Sequence, residues 1–183
     1  MTYHIGLDIE TTSLHADEGI IVCYAIVGQE DITYSNIIKA PGEEAGLLRR
    51  LIADLCELRV RHLDSKILSY YGYSFDYPMI ITRLYDWKMY DEIRRFRQNF
   101  VGRDKHIDLH YVVRSNLLLK SRKLEDVCAY LGIPYQKPCE SGKWVIEQWM
   151  AGNYDAVQDY CIQDAKILHV LREKLIETNL MER

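Results

Sequence analysis

The chain has 183 residues, 48% hydrophobic and 27% charged, with a formal net charge of −4. This predicts one domain, residues 1–183, burying a real core without disulfide staples. The negative balance argues against gripping nucleic acid by bulk positive potential, unless bound divalent cations supply positive charge where a phosphate sits. No apolar run reaches the length of a membrane span, and the opening MTYHIGLDIE lacks a basic stretch followed by an apolar one. The expectation is a cytoplasmic protein. Five scattered cysteines (Cys23, Cys56, Cys128, Cys139, Cys161) without a CxxC pair read as reduced residues rather than a zinc site or a disulfide framework.

In chain order, His4 to Asp8, Gly19 to Val27 and Ile32 to Ile38 read as strands separated by turn signals, which suggests an antiparallel meander. Pro41-Gly42 closes it. Glu43 to Leu58 then carries Leu47, Leu48, Leu51, Ile52 and Leu55 at helical spacing. Lys66 to Tyr70 reads as a buried strand and Tyr77 to Tyr90 as a helix with Pro78 in its first turn. Arg122 to Leu131 is a short amphipathic helix stopped by Gly132. From Tyr154 to Leu180 apolar residues recur at three and four, the strongest helical pattern in the chain. A meander followed by alternating helix and strand implies an α/β or α+β sheet with helices on its faces.

Three segments carry chemistry. In Gly6-Leu7-Asp8-Ile9-Glu10-Thr11-Thr12, Asp8 and Glu10 project from one strand face. Adjacent carboxylates repel, nothing nearby in sequence is basic, and a hard divalent cation would resolve the repulsion. The local alternative is a solvated edge-strand face. In Tyr70-Tyr71-Gly72-Tyr73-Ser74-Phe75-Asp76-Tyr77-Pro78, Asp76 stands at a strand-to-helix junction, where it caps the helix or faces a site at the sheet edge. In Asp159-Tyr160-Cys161-Ile162-Gln163-Asp164, Tyr160 and Asp164 share a helix face. A core tyrosine and a surface acid would explain them locally, but Asp164 lies beside the apolar stripe, where an unpartnered carboxylate is costly.

Together and in this order, D-x-E, F-D-x-P and Y-x-x-x-D resemble the DEDD exonuclease superfamily, in the subgroup whose third motif carries tyrosine. The blocks span residues 6 to 165. The histidine of the alternative subgroup would fall at Asp159. Asp108-Leu109, Lys123-Leu124-Glu125 before Leu131-Gly132-Ile133, and Gly142 ahead of Trp149 fit too. The closest likeness is to stand-alone ribonuclease H-like exonucleases related to the proofreading domain of family B DNA polymerases.

The resemblance implies a mixed sheet, three antiparallel strands plus parallel ones, flanked by helices. It implies two-metal phosphodiester hydrolysis at 3′ ends of single-stranded DNA or RNA. Asp8, Glu10, Asp76 and Asp164 would hold two Mg²⁺ or Mn²⁺ ions, and Tyr160, with an ordinary pKa near 10, would orient water rather than act as a strong base. Thr11, Thr12, Ser13 and Leu14 would meet the terminal nucleotide, with Tyr71 and Phe75 as further substrate residues. Relatives commonly carry asparagine where this chain has Tyr71, whose ring suits stacking on a base. Basic clusters at Arg94-Arg95-Arg97 and at Lys120, Arg122 and Lys123 would follow the phosphate backbone, or are simply solvated. The competing readings are an RNA-specific 3′ end-trimming ribonuclease and a non-catalytic nucleic-acid-binding module. Partners in replication or repair would act in trans.

Overall fold

The computed structural model describes residues 2–29, 32–135, 137 and 143–182. Five strands form one sheet: β1 (Tyr3–Thr11), β2 (Ile21–Val27), β3 (Thr33–Ile37), β4 (Ser65–Ser69) and β5 (His106–Asp108). Their order is β3-β2-β1-β4-β5. The first three strands pair antiparallel, whereas β4 runs parallel to both β1 and β5. This is the expected α/β mixed sheet.

After a 3₁₀ turn at Pro41–Glu43, α1 (Glu44–Arg61) leads into β4. Then come α2 (Asp76–Asp86), α3 (Tyr90–Phe100), α4 (Leu109–Asn116), α5 (Leu124–Tyr130), α6 (Lys143–Met150) and α7 (Tyr154–Glu177). The helix expected over Tyr77 to Tyr90 is shorter. It ends at Asp86, and Lys88, with φ 57°, turns the chain into α3. The sequence reading missed α3, β5, α4 and α6. β5 has three residues and α3 buries only Phe96 and Phe100, so neither leaves a readable apolar period.

Both faces of β2 are covered, so all seven of its residues are buried. On one face the hydroxyl of Tyr24 donates to Asp54 of α1. On the other, α7 lies directly over β1. A Cβ at Gly6 would stand 2.4 Å from the carbonyl oxygen of Ala165, so only glycine permits this approach. The side chains two and four residues further along the strand, Asp8 and Glu10, belong to this α7 face. A second apolar cluster joins Leu68 to α4, α5 and the later turns of α7 through Leu109, Val127, Leu168 and Leu171.

Cys23, Cys56, Cys128 and Cys161 are free thiols, as expected. Cys139 and Gly142 lie outside the described residues. Among the described residues no helix is long and apolar enough to cross a membrane.

Candidate functional site

β1, the start of α2 and the first half of α7 deliver the carboxylates. Asp8 and Glu10 lie opposite Ala25 and Cys23 in the antiparallel register with β2. The Cys161 thiol donates to the Asp8 carbonyl at 3.5 Å, fixing α7 against the strand here. One ligand atom each from Asp8, Glu10 and Cys161 lie within 4.8 Å of one another. Asp8 Oδ2 is buried and, among the described residues, has no hydrogen-bond partner. An orphaned carboxylate oxygen beside a second carboxylate fits a hard divalent cation, while the Cys161 sulfur is a soft donor engaged with the Asp8 carbonyl.

Electrostatics tie the separate elements together. Burial first, then Glu10, Asp164 and Asp76, push the Asp8 carboxyl well above the usual carboxylate range. Burial and then Asp164 do the same to Glu10. Asp76 is pushed up to about 7, mainly by burial, while backbone N–H groups of Asp76 itself and Ile9 pull the other way. Asp76 is the first residue of α2 rather than its cap. Phe75 holds the cap position without a side-chain bond, and Asp76 is only 5% exposed. The capping explanation therefore does not account for this acid.

On α7 the Tyr160 hydroxyl and the Asp164 carboxylate meet two residues that the motifs did not reveal. Lys137 Nζ donates to the Tyr160 hydroxyl oxygen at 2.8 Å and to Asp164 Oδ2 at 2.9 Å. The Tyr135 hydroxyl donates to Asp164 Oδ1. Trp144 packs edge-on against the Tyr160 ring, with centroids 5.6 Å apart. Burial and the charges of Asp164, Glu10 and Asp8 push the Tyr160 hydroxyl further above its ordinary pKa. Its oxygen accepts from Lys137, so its own hydrogen is left to donate. Tyr135 and Lys137 belong to the segment between α5 and α6, which has no apolar period. The one sequence signal was basic and aromatic residues close after Ile133-Pro134.

The segment after D-x-E is a self-bonded turn. Thr11 Oγ1 donates to the Ser13 carbonyl at 2.8 Å, Ile20 N donates to Thr12 Oγ1 at 3.0 Å, and Leu14 is 78% exposed. Arg83 of α2 holds this turn, donating to the Ala16 carbonyl at 2.9 Å. It also donates through Nε and Nη2 to the buried Glu44, at 2.9 and 2.7 Å. Glu44 further accepts from Ile21 N and Trp87 Nε1, so its carboxylate is fully engaged.

A second loop borders the site. Asp108, the last residue of β5, accepts from Tyr71 N, Tyr73 N and His110 N at 3.0 to 3.1 Å. This holds Tyr71 at φ 73°, a left-handed conformation that suits glycine or asparagine better than tyrosine. The Tyr71 ring meets His110 edge-on at 4.5 Å and remains half exposed. Phe75 is partly buried against the main core. Of the basic clusters, the second lies beside this loop, since the Tyr70 hydroxyl donates to the Arg122 carbonyl at 2.6 Å. The first lies on α3, where Arg94 pairs with its neighbour Asp91.

The fold is shared with solved structures. Superposition on the family B DNA polymerase of the hyperthermophilic archaeon Pyrobaculum calidifontis gives a TM-score of 0.78, with 18% identity, over 98% of this chain and 25% of that one. In sequence the chain is 26% identical over 136 residues to a DNA polymerase of Archaeoglobus fulgidus, matching 70% of this chain and 17% of that protein. The chain thus spans no more than a quarter of either polymerase. A family model described as the RNase_H superfamily matches residues 5–176, which takes in most of β1, all five carboxylate and tyrosine positions and nearly all of α7, and the chain belongs to that superfamily.

Proposed function

We propose that this single ribonuclease H-like domain is a metal-dependent nuclease of the tyrosine-type DEDD class that removes nucleotides from the 3′ ends of single strands. One observation carries the reading: Asp8, Glu10, Asp76 and Asp164 act on one another electrostatically beside Tyr160, and Asp8 Oδ2 is buried without a partner among the described residues. The donors are chiefly carboxylate oxygens, which suit Mg²⁺ or Mn²⁺. Asp8, Glu10, Asp76 and Asp164 would hold two such ions. Bound there, the cations would activate water and steady the leaving 3′ oxygen.

The remaining work falls to the chain. Tyr160 is too weak an acid to serve as a base, and its free hydrogen orients the attacking water. The turn of Thr11, Thr12, Ser13 and Leu14 offers the terminal nucleotide backbone donors and an exposed apolar wedge. Tyr71 and Phe75 flank the next base. Arg122, beside the Tyr70 loop, neutralises backbone phosphate. Both relatives are named DNA polymerases, which favours DNA over the RNA-trimming alternative. A non-catalytic binding module would be expected to have lost at least one of the four carboxylates, and all four are present.

The test uses end-labelled single-stranded DNA and RNA with Mg²⁺, Mn²⁺ or EDTA, comparing the wild type with Asp8→Ala and Tyr160→Phe. Metal-dependent laddering from the 3′ end, absent in Asp8→Ala and slowed about tenfold or more in Tyr160→Phe, is expected. No degradation with either metal would sink the enzyme reading. Nicking of circular substrates would sink the exonuclease assignment.

A further inference from the structure

β1 and α7 lie against each other in opposite directions, and the pair carries different chemistry at its two ends. Asp8 faces Cys161, Gly6 faces Ala165, and His4 falls near Arg172. Asp8 and His4 are four strand residues apart, about 13 Å. One end is acidic. The other opens into a cleft of about 1110 Å³ between α4 and the last turns of α7.

The wall of this cleft holds buried nitrogen atoms without partners among the described residues. His4 is 5% exposed and Arg172 9% exposed, and both line the cleft. Among the described residues, His4 Nδ1 and Arg172 Nε have no hydrogen-bond partner. Lys66 stands directly beside His4 in the parallel register and forms no ion pair among the described residues. Burial, followed by the charges of Arg172, His169 and Lys66, pushes His4 down to about 4, against only Asp64 pulling up. At neutral pH His4 is therefore uncharged, and the cations of the lining are Lys66 and Arg172. Three carboxylates also reach the cleft. Glu173 is engaged by Arg172 Nη1, Glu177 is paired with Lys174 at 3.0 Å, and Glu182 lies on the exposed rim. The Lys66 ammonium and the rest of the Arg172 guanidinium are left over.

Apolar side chains line the cleft as well. Ile107 and Ile176 are two of them, and Tyr111 offers an aromatic ring that is 66% exposed. A ligand that meets Lys66, the free edge of Arg172 and the Tyr111 ring has an anionic head and a flat, weakly polar body. The space exceeds what most small cofactors need, roughly 300 to 1,000 Å³.

The geometry points to a second ligand site in this cleft, for a 5′-mononucleotide whose phosphate meets Lys66 and Arg172 and whose base lies along Tyr111. The anion site stands on the cleft alone. Choosing a mononucleotide as its occupant rests on the proposed nuclease reading, because hydrolysis from a 3′ end releases that compound. The last residue cut from a strand would thus bind at the far end of the helix that helped to cut it.

Isothermal titration calorimetry in EDTA, which keeps metal-held phosphate out of the acidic end, tests this with deoxyadenosine 5′-monophosphate, deoxyadenosine and inorganic phosphate. One mononucleotide should bind per chain, with the nucleoside and phosphate each at least about tenfold weaker. Lys66→Met and Arg172→Met should each weaken it about tenfold or more, and Asp8→Asn should leave it unchanged. If the buried Arg172→Met fails to fold, the half-buried Lys66→Met decides. No mononucleotide binding up to about 1 mM, no effect of Lys66→Met, or loss in Asp8→Asn would each overturn the site. Phosphate binding as tightly as the mononucleotide would overturn the choice of ligand. Binding without any nuclease activity would keep the anion site and remove the reading of its occupant as a product.

Discussion

Lys137 Nζ lies 2.9 Å from Asp164 Oδ2, with the lysine side chain 20% exposed and the carboxylate 7% exposed. The ammonium supplies internal positive charge to a cluster of four acids, since it also favours the ionised forms of Asp8 and Glu10. Lys137→Met should therefore destabilise the metal-free protein by about 1–3 kcal/mol, lowering Tm by about 5 °C. Adding Mg²⁺ should restore more stability to the variant than to the wild type. Differential scanning fluorimetry in EDTA and in Mg²⁺ measures both. Equal Tm values in EDTA would show that Lys137 does not compensate the acids.

Stability should also fall as pH rises when no divalent cation is bound. Asp76 sits at about 7 in the folded chain, and Asp8 and Glu10 are raised as well. The unfolded chain releases these protons near pH 4, so the folded state holds more of them between about pH 4 and 7. Their stabilising contribution is complete below about pH 4 and is lost as pH rises through 7. In EDTA, Tm should drop by about 5 °C or more from pH 5 to pH 8, and Mg²⁺ should reverse the loss at pH 8. A Tm that is level or rises over this range in EDTA would contradict the raised acids.

Tyr71→Asn separates backbone comfort from ring contact. Asparagine accepts φ 73° more readily than tyrosine does, which is worth about 1 kcal/mol, while the contact with His110 disappears. Tm should stay level or rise by about 2 °C, and KM for a single-stranded oligonucleotide should rise about fivefold with kcat little changed. An unchanged KM would remove Tyr71 from the substrate path.

Arg83→Met leaves Glu44, which is 0% exposed, without its two-pronged partner. A loss of about 3–5 kcal/mol is expected, or about 10 °C in Tm. The double variant Glu44→Gln/Arg83→Met should lose less than the sum of the two single variants. Strict additivity in thermal melts would show that the pair does not act as a unit.

Periodicity made much of this legible. A repeat of two placed Asp8 and Glu10 on one face, and a spacing of four placed Tyr160 and Asp164 together on α7. The continuous apolar run at Ile21–Val27 marked the doubly covered β2. Lys137 and Tyr135 were illegible because a loop residue has no period, and its reach depends on tertiary folding. The short β5 escaped for a similar reason, yet its Asp108 organises the Tyr71 loop through three backbone N–H groups. Asp76 was ambiguous because a cap and a first-turn acid look alike in sequence. Its place after the Phe75 cap and its burial distinguish them.

Gly6 has no functional atom, yet it sets the gap across the acid cluster. Its missing side chain lets the Ala165 carbonyl come within 2.4 Å of where a Cβ would be. A methyl group there would act as a wedge beneath α7, lifting Tyr160 and Asp164 away from Asp8 and Glu10 while leaving every charge in place. Two chain segments more than 150 residues apart are thus held in register by an empty space, and the cluster can be dismantled without altering any of its members.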